Sequence, residues 1–140
     1  MDDVRTRDEG FSLVELLVVM VIIGILSGIA IPALAAQTKK AKIAALKSQL
    51  KAAALAQEER LTDGLPYAVP GPVGLAHLAE QGFVLSSGVV MTIVDDDMVA
   101  GGRGFCLRAH HETLTAADDW YYASTGPNAG RPTATACVAS

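Results

Sequence analysis

Three features of the sequence predict an α+β fold in which one long N-terminal helix lies on a small antiparallel sheet of about three to four strands. Residues 16–38 carry no charged side chain, and such a run is long enough to cross a bilayer as a helix. From Ala33 to Leu61 the chain continues with strong helix formers and no interior glycine or proline, with apolar positions recurring at spacings of three and four. Three later stretches are rich in branched or aromatic residues and have strand-like periodicity. The helix therefore has a membrane half and an amphipathic half.

The segment from Gly10 to Lys39 organises the rest. Gly10 and Phe11 stand just before the apolar run, Glu15 sits inside its first turn, and Pro32 interrupts it. A carboxylate within a membrane helix costs about 2.5–3.5 kcal/mol on insertion scales, so it is kept where it meets a partner. A cut between Gly10 and Phe11 would create that partner, because the new α-amino group would lie one helical turn away, in the same chain or a neighbour's. The uncut chain offers only Arg5 and Arg7.

Gly10-Phe11-Ser12-Leu13-Val14-Glu15 followed by an apolar run closely resembles the processing and methylation site of type IV pilins and their pseudopilin relatives. The close match covers about the first third of the chain. It implies a leader, residues 1–10, removed after Gly10 by a prepilin peptidase, and an N-methylated Phe11. It also implies that residues 11–38 anchor a single-pass precursor in the cytoplasmic membrane and then form the core of a helical filament. Residues 39–140 would complete the amphipathic half and the globular head. In that reading Glu15 pairs with the Phe11 amine of a neighbouring copy, and the filament is a surface pilus assembled by dedicated machinery. The leader departs from the family habit, since pilin leaders tend to be basic and this one holds Asp2, Asp3, Asp8 and Glu9 against Arg5 and Arg7. With Lys39, Lys40 and Lys42 on the far side, charge alone predicts the opposite orientation. The cleavage motif is what places the leader inside.

Two further features of the run bear on assembly. Gly24 and Gly28 have the GxxxG spacing that lets helix backbones approach closely. Pro32 removes a backbone donor and crowds the carbonyl of Gly28, which predicts a kink or locally weakened helix between Gly24 and Pro32.

Composition limits the remainder. The net charge of −4 is mild, and no basic cluster marks a nucleic-acid interface. Subtracting the apolar segment leaves a head of about 100 residues, enough for a modest core. Cys106 and Cys137 lie outside the apolar run, and in an exported chain an even count points to one disulfide. Closing that loop would stabilise the head by about 3.6 kcal/mol in the chain-entropy model. The alternative is two unpaired buried thiols.

In the head, Ile43, Leu46, Leu50 and Ala53 or Ala54 form one apolar stripe, with Lys39, Lys40, Lys42, Lys47 and Lys51 over much of the other surface. Thr62-Asp63-Gly64 ends the helix, with Gly64 as a left-handed cap. Leu65 to Gly74 reads as a loop and Leu75 to Gln81 as a short helix. Val89 to Val94, Gly104 to His110 and Trp120 to Ser124 read as strands, with the Trp120 face turned to the core. The tail from Thr125 is a coil, which a Cys106–Cys137 bridge would tie down, like the disulfide-bounded region of type IV pilins.

Other chemistry is thinly supported. Asp95-Asp96-Asp97 and Asp118-Asp119 invite calcium, but neither shows the alternating acids of a calcium loop. No other cofactor is indicated. His110-His111-Glu112 invites a metal, yet adjacent strand residues point to opposite faces. His77 reads as a surface or half-buried residue. There is no nucleophile elbow, P-loop, HExxH or CxxC, so no catalytic residue is assigned. The nearest rival to a pilus subunit is a pseudopilin of a secretion or DNA-uptake machine. A rival of another class is a secreted binding domain, with Pro32-Ala33-Leu34-Ala35-Ala36 as a signal-peptidase site. Glu15 argues against that rival, because a discarded signal needs no costly carboxylate.

Overall fold

A computed structural model of the protein describes residues 10–94 and 104–137. The order of elements is α1 (Leu13–Thr62), α2 (Pro72–Glu80), β1 (Val89–Val94), β2 (Cys106–His111), a 3-10 turn (Ala116–Asp118) and β3 (Trp120–Ala123). The chain divides into two compact units, Met1–Thr38 and Lys39–Ser140.

α1 is a single helix of 50 residues with Pro32 inside it. The segment between Gly24 and Pro32, where a kink or local weakening is expected, is helical throughout. A proline forfeits one backbone hydrogen bond, and strong formers such as Leu34, Ala35 and Ala36 carry the helix on beyond it.

In the second unit, α1 buries Leu46, Leu50, Ala53, Ala54 and Ala56 against a core that includes Leu78, Phe83, Met91, Ile93, Phe105, Leu107 and Ala109. Leu46, Leu50, Ala53 and Ala54 belong to the predicted stripe, whose first member Ile43 is only half-buried, and the long helix packs on the three-stranded sheet as expected. The sheet is antiparallel in the order β1-β2-β3. β1 pairs with β2 from Val89 opposite His111 to Val94 opposite Cys106. β2 pairs with β3 from Cys106 opposite Ala123 to Ala109 opposite Trp120. Trp120 and Tyr122 pack against the core, as predicted for that face. Tyr67 and Tyr122 both lie against Phe105, at centroid distances of 5.1 and 6.1 Å.

Three boundaries differ from expectation. α2 begins at Pro72 rather than Leu75, because proline at the first helical position forgoes a donor that would have had no partner there. Gly74, expected in a loop, lies in α2 at a point where a Cβ would collide with the Val69 carbonyl. β2 and β3 are each shifted or shortened by a residue or two, since Ser124 leaves the ladder and its hydroxyl accepts from the Phe105 N–H at 2.7 Å. Gly64 has φ 78, as a left-handed helix cap requires.

Two polar side chains on the buried face of α1 hold the 65–72 segment. Gln57 is fully buried; its Oε1 accepts from the Ala68 N–H at 2.7 Å and its Nε2 donates to the Ala68 carbonyl at 3.3 Å. Arg60, 5 % exposed, donates to the carbonyls of Pro66 and His77 and lies 3.8 Å from Glu80. The amide of Gln57 thus serves a backbone that no ladder reaches.

The C-terminal segment is tied at two places. The Cys106–Cys137 disulfide spans a Cα separation of 6.2 Å. Tyr121 and Thr133 also exchange backbone hydrogen bonds of 2.8 and 2.9 Å. The replacement Gln57→Leu removes both partners of Ala68 inside the core. A loss of about 1–3 kcal/mol is expected, read by urea denaturation of the detergent-solubilised protein through the fluorescence of Trp120.

Candidate processing and assembly site

The peptide bond between Gly10 and Phe11 lies in exposed, non-helical backbone just ahead of α1. Phe11 is 85 % exposed. Ser12 and Glu15 close the helix start reciprocally. Glu15 Oε2 accepts from the Ser12 N–H and from its hydroxyl, and the Ser12 Oγ accepts from the Glu15 N–H, each at 3.2 Å. This is a capping box, which satisfies donors that the first turn leaves free. The carboxylate also sits where the helix dipole favours negative charge. Glu15 therefore has a structural task in addition to its predicted pairing, one that was legible in the Ser12-x-x-Glu15 spacing but not drawn from it.

Beyond the cap, Leu13, Leu16, Leu17, Met20, Ile23, Leu26 and Ile29 are exposed, and so are the apolar residues between them. Nothing stands within 4 Å of a Cβ built on Gly24 or Gly28, so both present open backbone. Thr38 Oγ1 returns to the Leu34 carbonyl at 2.9 Å, which satisfies its hydroxyl within the helix. Within the first unit, every face of the helix is thus greasy and uncovered, a surface compatible with lipid or with other such helices and not with water.

The head's polar clusters are structural ties. Asp119, 4 % exposed, accepts from Arg108 Nε at 2.8 Å, pairs with Arg108 Nη2 at 2.7 Å, and lies 2.6 Å from His110 Nδ1. Arg108 and His110 are two apart on β2 and so share a face, which was the available signal for this cluster. His111 turns instead to Thr113, 3.0 Å from its Nδ1. Asp118 pairs with Lys39 at 2.8 Å and accepts from Thr115. Both carboxylates of the Asp118-Asp119 pair are therefore engaged by cations. Among the described residues no group of three or more His, Cys, Asp or Glu is placed to hold a metal ion. Asp95-Asp96-Asp97, with Arg5, Arg7 and the rest of the leader before Gly10, lies outside the described residues.

The processing segment itself matches a known family motif. A family model described as the prokaryotic N-terminal methylation motif matches residues 5–31. Type II secretion system core protein G of Pseudomonas aeruginosa is 35 % identical over 63 residues, 45 % of this chain and 44 % of that protein. The chain thus matches less than half the length of that curated relative. The methylation motif runs into the exposed apolar helix, and over part of its length the chain is similar to a type II secretion core protein.

The hydrogen bond from Lys39, with a smaller one from Thr115, holds the Asp118 carboxyl below its ordinary value. A depressed folded-state pKa gives stability that is present above the unfolded value and lost as pH falls through the folded one, so this tie loosens in acid. Lys39→Met should move the Asp118 titration upward, toward an unperturbed aspartate. A carboxyl-carbon NMR titration of the two proteins measures it.

Proposed function

We propose that this chain is the structural subunit of a type IV pilus. It is processed by a prepilin peptidase after Gly10, methylated on Phe11, held in the membrane by residues 11–38, and polymerised by helix packing into a surface filament. The observation that carries the reading is the exposed Gly10–Phe11 junction set one turn before Glu15 at the head of an uncovered apolar helix. Cleavage there frees an amine within reach of that carboxylate. In a helix bundle of low dielectric such a pair is stabilised when it is satisfied and costly when one partner is missing. It would fix the axial register between copies. Gly24 and Gly28, open on the single helix, offer the close approach that neighbouring helices use in an apolar medium. Pro32 leaves the Gly28 carbonyl without its usual donor, a place where the helix can yield under load. The disulfide and the Tyr121–Thr133 bridge, which fasten the end of the head, suit a fibre that works outside the cell.

A second reading is favoured by the Pseudomonas aeruginosa relative, whose name places it in type II secretion. Here the same processing and packing would build a short pseudopilus.

The mature protein isolated from cells should begin at N-methyl-Phe11 by mass and N-terminal sequencing. A start near Ala36 would make the helix a discarded signal and overturn both readings. Glu15→Ala should leave the head folded and membrane-bound while filaments disappear from electron micrographs. Long surface fibres composed of this chain decide for the pilus over the pseudopilus.

A further inference from the structure

The charged side chains of the second half of α1 divide into those used within the head and those left over. Lys39 pairs with Asp118, Lys42 donates to Thr113 Oγ1 at 2.6 Å, and Lys47 lies 3.9 Å from the Trp120 ring centre. Arg60 is buried on loop carbonyls, and Glu58 accepts from the Tyr67 hydroxyl. Lys51 and Glu59 are exposed, and their side chains make no ion pair or hydrogen bond among the described residues. Glu59 stands beside a groove lined by Ala52, Leu55, Ala56, Phe83 and Val84. Leu55 and Val84 are 69 % and 77 % exposed, an apolar rim left uncovered among the described residues.

We propose that this groove is the seat for a second copy of the chain, whose Lys51 lays its methylene stem across Leu55 and Val84 and brings its ammonium to Glu59. The proposal rests on the filament reading above. Two observations select this occupant. The charges are complementary, and lysine is the side chain that covers apolar surface while keeping its charge at the edge. Lys51 and Glu59 are eight residues apart, about 80° around the helix, so donor and acceptor patches are different surfaces of one subunit. Such a contact is heterologous and propagates into an open array. Lys40, also exposed, stands about 28 Å of helix rise from Glu59 against about 12 Å for Lys51, so Lys51 needs the smaller shift between copies.

The test is a charge swap in cells that assemble the wild-type chain, with filaments counted by electron microscopy and sheared-fibre yield. Lys51→Glu and Glu59→Lys should each lower the yield about tenfold, and the double variant Lys51→Glu/Glu59→Lys should return it to near wild type. Head folding is checked for each by the Trp120 emission and the intact Cys106–Cys137 bond. Either single variant assembling as well as wild type, or a folded double variant failing to recover, overturns the contact and leaves the filament reading standing. Carbodiimide coupling of wild-type filaments, which joins an amine to a carboxylate only where the two touch, supplies a second readout that does not depend on yield. A ladder of multimers is expected, with the Lys51–Glu59 isopeptide found in it by mass spectrometry. The absence of that cross-link from filaments that form overturns the proposal. A wild-type chain that forms no filaments of any length overturns the filament reading itself, and this contact with it.

Discussion

A helix that is apolar on every side leaves the protein with one problem to solve, which is what to place around residues 13–38. The backbone of that stretch satisfies itself through its own helical hydrogen bonds, so it is at ease in hydrocarbon. Its side chains are not at ease in water, where each uncovered leucine or isoleucine forgoes about 1.5–3 kcal/mol of burial. A bilayer would meet the requirement before assembly, and in the proposed filament a bundle of identical helices would meet it afterwards. Because lipid is as apolar as leucine, greasiness alone does not drive the second state. Direction and register must come from the few groups that are not apolar, and in the first turn those are Ser12 and Glu15.

The second half of the same helix meets a different requirement with the same backbone. There one face is covered by the sheet, and the helix spends its polar side chains on elements that cannot reach a ladder. Gln57 serves both backbone groups of Ala68, Arg60 gathers the carbonyls of Pro66 and His77, and Lys39 and Lys42 meet the β2–β3 connection. Each tie is modest where water reaches it. The buried ones matter more, since a peptide group left unpaired in the core costs more than the bond itself contributes. The head is therefore held by an ordinary apolar core with polar fastenings at its irregular segments, and a disulfide with a two-bond bridge secures its end.

In the head, Asp119 holds Arg108 and His110, and the groove beside Glu59 stays exposed. In the proposed filament that groove, with the apolar helix and its open glycines, would face other copies of the chain.

Much of this was written in local patterns. Periodicities of 3.6 and 2 report which face of a helix or strand is covered, so the stripe of Leu46, Leu50 and Ala53, the strand at Val89 to Val94 and the Trp120 face could be read directly. A run of apolar residues with one early carboxylate needs no fold to be recognised, because its meaning lies in solvent preference alone. The cysteine pairing was legible for a similar reason, as two cysteines admit one partner each. What could not be read were relations between residues distant in sequence. Nothing local to Gln57 says that it will meet Ala68, and nothing local to Lys39 points to Asp118. Gly74 looks like a loop glycine until the Val69 carbonyl is seen against it. The unbroken passage of α1 through Pro32 likewise reflects a balance between one lost hydrogen bond and the formers around it. The sequence by itself determined the solvent each segment prefers and the period each can adopt, because those are properties of single side chains. The tertiary structure alone decided which charges are consumed inside the head and which stay exposed without a partner among the described residues, because pairing depends on where the chain returns in space.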